Sequence, residues 1–432
     1  MRILSNVDRV GPGVYIVSMA SADTHALQAP DYAELHARIG RIGGQLSESI
    51  RDVIDAVPGG PYRPQELSRV LGISKDLSSR TLKASFKKDP LAVAYLMPGP
   101  ASLQQLLRAA SKRSVSPDLI EKADAAVRAF ERLIRVDAGD RISLDGIISA
   151  WLPDARERFE TGNKQAVFRG MAQLKGVMAD ISVTTAVIHP SENGQTLDGV
   201  WVLGSLGLRR IRPGPPIYFW SGQIGSTARG KPRLTLDGTP AEDLDGLMLE
   251  TFCSNPAPHM KVRQHGATLC YMLAGDDIGP ASAGDLFVAE VTPGCMPRYT
   301  GSDKPRRCGP SSEISTPVKT LIFDVLLHED AYPGLEPTLL VYDTALGGVV
   351  DMNDPAREAD RLDVAETVEF LGWNTESFRA SEVPNYSEIL ALVCKKRGWD
   401  YRKFRGYRCH AQYPVYGSQF SMSFIPPPAP SK

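Results

Sequence analysis

Residues 63–88 read RPQELSRVLGISKDLSSRTLKASFKK, and their spacing predicts two short helices joined by a tight turn. Pro64 suits a first helical position, where its missing N–H leaves no bond unmade. Leu67, Val70 and Leu71 recur on one side of that helix. Gly72 can take the positive φ that ends a helix, and Ile73 can fill the corner behind it. Ser74 is a good N-cap for a second helix from Lys75 to about Phe86, with Leu77 and Leu82 turned inward. Lys75, Ser78, Ser79, Arg80, Lys83, Lys87 and Lys88 are then left for the outer surface.

This pattern resembles the helix-turn-helix of bacterial helix-turn-helix and winged-helix regulators, over the N-terminal region only. The resemblance implies that the second helix enters a DNA major groove, where hydroxyls and guanidinium groups read base edges or hold phosphates. Ser74, Lys75, Ser78, Ser79, Arg80 and Lys83 would then meet the groove, with Lys87 and Lys88 on phosphate. The chain departs from the pattern at Ser78, where such motifs place an aliphatic residue, and Leu77 stands one position earlier. A rotated second helix or a shorter turn would accommodate this. An ordinary helical hairpin is the plainer reading of the same residues.

A length of 432 residues suggests two or three domains. An apolar share of 42% and a charged share of 23% belong to an ordinary globular chain. The net charge of −1 and a pI near 6.7 exclude a protein that coats nucleic acid indiscriminately, so any DNA contact must come from a local basic face. The six cysteines are scattered without a CxxC pair, which favours reduced thiols and a cytoplasmic setting. No apolar run reaches bilayer length, so no membrane contact is expected.

The expected class is α+β. Residues 1–30 read as an arm, and 31–112 as the helix-turn-helix domain. Residues 113–180 read as a helical connector, and 181–432 as a mainly antiparallel β-rich domain with C-terminal helices. Asp31 to Ala56 carries two helical faces separated at Gly43-Gly44. Leu91 to Met97 suits either a short helix or the strand of a wing. Pro117 to Ile134 is amphipathic, and an exposed apolar stripe on it could pair two subunits. Strand-like runs follow at Ile181–Ile188, Gly199–Leu206, Ile217–Trp220, Ala267–Leu273, Leu286–Val291, Val318–Leu327 and Thr338–Tyr342. Leu362–Leu371 and Tyr386–Arg397 read as helices, and Gln412–Phe424 as a last strand.

A second basic stretch, KKRGWDYRKFRGYR at Lys395–Arg408, interleaves cations with aromatic residues. Lys395, Lys396, Arg397, Arg402, Lys403 and Arg405 could form a further nucleic-acid patch. Equally, the aromatics could be the core face of a basic surface element. Cys253, His259, His265 and Cys270 carry zinc-ligating groups, but their spacing fits no compact zinc pattern, and no metal is expected. No phosphate-binding glycine motif or serine-nucleophile elbow occurs, so no cofactor and no catalytic residue is assigned. The expectation is a transcriptional regulator binding double-stranded DNA as a homodimer, with a small-molecule effector or an oligomerisation role for the β-rich half. A protein-interaction module whose helix pair only packs remains open, as does an enzyme with a pocket around His259, His265 or His328.

Overall fold

The computed structural model describes residues 7–9, 15–17, 32–60, 62–223, 234–241, 245–265, 268–275, 277–301, 305–373 and 378–430. The chain divides into two compact units, Met1–Arg156 and Glu157–Lys432. The stretch read as an arm lies outside the described residues, apart from two short paired strands, β1 (Val7–Arg9) and β2 (Tyr15–Val17).

The first unit is helical. Its longest element, α1 (Tyr32–Asp55), runs unbroken through Gly43-Gly44, so the two faces read from sequence belong to one helix. Gly43 is buried where α4 (Pro90–Leu96) crosses, and a Cβ there would lie 2.0 Å from the Pro90 carbonyl oxygen. Close approach, and not a chain break, accounts for this glycine. Between them lie α2 (Pro64–Leu71) and α3 (Lys75–Ser85), the predicted pair. The segment left open as helix or wing strand is the helix α4, capped by the Asp89 carboxylate through the Leu91 N–H at 2.9 Å. Among the described residues of the first unit no β-hairpin follows α3, so no wing accompanies the pair there.

α5 (Pro100–Ser111), α6 (Pro117–Arg132), a π-helical turn (Leu133–Ala138) and α7 (Arg141–Ser149) complete this unit. Ala123, Ala126, Val127 and Phe130 of α6 are buried in its own core. The apolar stripe considered for pairing two subunits is therefore consumed inside one chain.

The second unit takes in α8 (Pro153–Lys175) from Glu157 onward. Sequence character changes near Asp180, yet the units divide earlier because α8 is tied to the β-rich part. The rings of Phe168 and Tyr413 meet at a tilt, 5.4 Å between centres, and Lys164 pairs with Glu366 at 2.7 Å, both of the latter side chains nearly buried. The strands are β3 (Val177–Pro190), β4 (Thr196–Arg210), β5 (Ile217–Gln223), β6 (Met260–His265), β7 (Thr268–Leu273), β8 (Gly284–Pro297) and β9 (Ser311–Glu313). They continue as β10 (Val318–His328), β11 (Thr338–Asp343), β12 (Glu369–Trp373), β13 (Phe404–Gln412) and β14 (Ser418–Ser423).

Six of them form one sheet in the order β12-β13-β10-β3-β4-β8, with β10 and β3 parallel and the other pairs antiparallel. Two three-stranded sheets, β11-β14-β9 and β5-β7-β6, are antiparallel throughout. One face of the large sheet packs Val183, Val202, Ile322 and Leu326 on α9 (Tyr386–Arg397). The opposite face shares a core with Phe219, Tyr271, Phe420 and Met422 of the small sheets. The α+β class holds. Leu362–Leu371, expected as helix, is extended and runs into β12; burial alternates through Leu362, Val364, Glu366 and Val368, the period of a strand.

A buried carboxylate sits in the middle of the large sheet. Asp324 of β10 is fully buried and receives both Nε and Nη2 of Arg408 on β13, at 2.8 and 2.7 Å. The Tyr386 hydroxyl of α9 donates to the same carboxylate at 2.6 Å, and burial together with that charge holds the phenol protonated. Arg408 also donates to the Arg379 carbonyl at 2.7 Å. Every charge here is answered by a fixed partner, which is the condition for burying an ion pair at all.

Two predictions follow from packing. Gly43→Ala should destabilise the first unit by about 1–3 kcal/mol through overpacking. Gly44→Ala, with nothing within 4 Å of the added carbon, should stabilise it by about 0.5–1 kcal/mol. Denaturant midpoints of the two variants, moving in opposite directions, check this. Arg408→Met should cost about 3–5 kcal/mol by stranding Asp324, and the double variant with Asp324→Leu should recover much of it. Calorimetric melting of single and double variants gives the comparison.

Candidate functional site

The α2–α3 turn is built as its residues dictate. Gly72 adopts φ 69°, and its N–H and that of Ile73 both reach the Ser68 carbonyl, at 2.9 and 3.1 Å. The Ser68 hydroxyl returns to the Ile73 carbonyl at 2.7 Å, closing the corner. Ser74 caps α3, its Oγ accepting from the Leu77 N–H at 3.1 Å. Ser74 thus serves the helix end, with its hydroxyl engaged.

α3 buries both Leu77 and Ser78. The position where the motif asks for an aliphatic residue is inside, as the motif requires; the serine is tolerated because its hydroxyl donates to the Ser74 carbonyl at 3.1 Å. Ser78 is therefore removed from the expected DNA-facing set. Thr81, Leu82, Ala84 and Ser85 complete the inner face. The Ser47 hydroxyl of α1 donates to the Ser85 carbonyl at 2.8 Å, fixing the rotation of α3 about its axis.

Lys75, Ser79, Arg80, Lys83, Lys87 and Lys88 remain exposed. Lys75, Ser79 and Lys83 are four residues apart and lie in one row, with Arg80 beside them. The adjacent anion is Asp76, 3.9 Å from Arg80, with both side chains largely in solvent. So loose a pair contributes little.

The second basic stretch loses one of its expected members, while Lys395, Lys396, Arg402 and Lys403 remain exposed. Arg405 is buried and donates to the carbonyls of Ala331 and Tyr332, at 3.0 and 2.6 Å, so it is a structural residue and cannot meet nucleic acid. Lys396 pairs with Asp237 at 3.0 Å, Lys403 with Glu329 at 2.8 Å, and Arg402 with Asp400 at 3.1 Å. Arg397 donates to the Leu236 carbonyl at 3.3 Å and lies over Trp399. Burial of both faces of the strand takes Arg405 out of what looked continuous along the chain, and the exposed cations have acidic neighbours.

Among the described residues, Cys253, His259 and Cys270 form no metal-holding group. The Cys253 thiol is engaged with the Leu249 carbonyl and the Phe287 backbone, and the His265 side chain lies outside the described residues. Among the described residues, His328, Glu329 and Asp330 hold donor atoms within 4.8 Å of one another, but Lys403 already occupies Glu329. All six cysteines are unbridged. Burial pushes the thiols of Cys295 and Cys409 up to about 12, so they are poor nucleophiles.

The second unit encloses a cavity of about 560 Å³. Its floor is the open part of the large sheet's face, with Ser182, Thr184, Trp201, Leu203, Ser205 and Glu290 on the same side of β3, β4 and β8. Its wall is the edge strand β9, with Ser311, Ser312 and Glu313, and the segment holding Asp351 and Asn353. Thr184 and Ser312 join wall to floor through their hydroxyls at 2.8 Å. Among the described residues that line the cavity there is no histidine, unlike the pocket considered from sequence. Its polar residues were missed, although Ser182 and Thr184 interrupt an otherwise apolar strand at a spacing of two, which signals a polar strip on one sheet face.

His328 sits elsewhere, beside His189 at the ends of β10 and β3, with ring centres 4.5 Å apart. His189 stacks flat on Trp399 at 4.8 Å. Burial lowers both pKa values below 6.5, and the mutual repulsion of two imidazolium rings adds to the lowering at His328. The unfolded chain therefore takes up these protons first as the pH falls. Stability should decline on acidification from about 6.5 until the folded histidines also titrate. The fall should be shallower in His189→Asn, as thermal melting between pH 7 and pH 4 would record.

No protein-family profile matches this sequence, and no curated protein does. A solved structure of a proposed protease from Parabacteroides distasonis aligns at 7% identity and a TM-score of 0.22. The alignment covers 58% of this chain and 41% of that one. A superposition that loose carries no statement about fold or activity.

Proposed function

We propose that this protein is a DNA-binding regulator whose α3 reads the major groove. The observation that carries the reading is the solvent face of α3: Lys75, Ser79, Arg80 and Lys83 on one side of a helix fixed in rotation, with Lys87 and Lys88 at its end. Hydroxyl and guanidinium groups at that spacing match base edges, and the flanking ammonium groups match phosphates. The whole chain carries a net charge of −1, so attraction to DNA would come from a local basic face such as this one.

On this reading the protein works in the cytoplasm, where the DNA is, and two copies occupy two half-sites, with contacts other than the buried α6 stripe. The second unit supplies the sensing function, its cavity being of a size that suits a small effector.

Fluorescence anisotropy on a preferred duplex, titrated with salt, tests the reading. Affinity should fall steeply with salt, and Lys87→Ala should reduce the slope by about one. Arg80→Ala should cost about 1–3 kcal/mol on the preferred sequence and relax selectivity at one base pair. Binding that is insensitive to salt, or unaltered by both variants, contradicts it.

A further inference from the structure

The turn that leads into α3 also walls a groove of about 760 Å³ in the first unit, through Leu71, Gly72 and Ile73. α5 lines the same groove with Gln104, Arg108, Ser111 and Lys112. Gln104, Arg108 and Lys112 stand four residues apart, the spacing of one row along a helix. Arg108 and Lys112 are exposed, and among the described residues neither side chain has an ion pair or a hydrogen bond. The acid that lines the groove, Asp124, is already paired with Arg128. Two uncommitted positive charges thus stand beside amide and hydroxyl groups, the side-chain types that hold phosphate oxygens without reading sequence.

The position of the groove says which phosphates these are. An α-helix with its side chains is about 10–12 Å across, and the major groove of B-DNA is about 12 Å wide. An inserted helix therefore fills the groove from wall to wall. Whatever adjoins its entering N-terminal end lies against the sugar-phosphate strand on that side. For α3 that neighbour is the Leu71–Ile73 corner, immediately before the Ser74 cap, with Arg108 and Lys112 in the same groove. Gly72 leaves the approach clear, since a Cβ built on it has nothing within 4 Å. Lys87 and Lys88 stand past the other end of α3.

We infer that Arg108 and Lys112 of α5 hold the phosphates of the DNA strand beside the N-terminal end of α3, while Lys87 and Lys88 serve those at its other end. The inference rests on the reading of α3 as the helix that enters the major groove. It adds a second element, outside the helix pair, that positions the duplex on the first unit.

Fluorescence anisotropy of the full chain over a salt series, on its selected duplex and on a scrambled one, tests this with the double variant Arg108→Ala/Lys112→Ala. The slope of log affinity against log salt should shrink by about two, because each phosphate contact releases close to one counterion. The loss of affinity should be equal on both duplexes, since phosphates carry no sequence, and Arg108→Lys/Lys112→Arg should keep the native slope. That charge-keeping pair also controls for folding. An unaltered slope in the alanine variant, while the native chain binds selectively, overturns the inference and leaves the reading of α3 standing. An unaltered slope together with a lower mass in sedimentation gives the groove to a second copy of the chain, and equally overturns it. A native chain without selective, salt-dependent binding overturns both.

Discussion

The side of α3 that faces solvent is set by what its other side must bury. Leu77 and Leu82 alone would allow the helix to roll, because aliphatic contacts have little directional preference. The hydroxyls remove that freedom. Ser78 is satisfied against the Ser74 carbonyl, Ser85 against the Thr81 carbonyl at 2.8 Å, and Ser47 reaches across from α1 to the Ser85 carbonyl. A buried hydroxyl without its acceptor costs more than the bond itself contributes, so a rolled helix would strand several at once. Arg80, Lys83 and their neighbours point outward as a consequence.

In the second unit the comparable constraint is Asp324. Burying it required Arg408 on one neighbouring strand and Tyr386 on the covering helix, which ties β10, β13 and α9 together. One face of the sheet is thereby committed to α9. The other is covered by the small sheets, and where that cover ends at the edge strand β9 a polar cavity remains.

Much of the architecture was legible in the sequence because its signals are local. Pro64, Gly72 and Ser74 mark the ends of α2 and the start of α3, and short apolar runs between turn clusters mark β3, β4 and β10 at their centres. What was not legible depended on contacts distant in sequence. Gly43 reads as a helix breaker until Pro90 is seen against it. The arginines of Lys395–Arg408 look like one basic surface, yet a strand turns Arg405 and Arg408 inward to partners scores of residues away. Leu362–Leu371 carries apolar residues compatible with both periods, and pairing of Tyr342 with Arg361 favours the extended form. Likewise, Ser78 looked like a flaw in the motif, since nothing local shows that its hydroxyl has an acceptor. The cavity is assembled from strands far apart in the chain, so Glu290 and Glu313 share no signature.

The measurement that bears most directly on the central claim is selection of bound sequences from random duplex DNA by the full chain. A parallel selection would use a variant carrying Lys75→Ala, Arg80→Ala and Lys83→Ala. The account predicts enrichment of a defined sequence by the native chain and loss of that enrichment in the variant, with folding retained because all three side chains are exposed. No enrichment by the native chain, or the same enriched sequence from both, would contradict the assignment of α3 as the reading element.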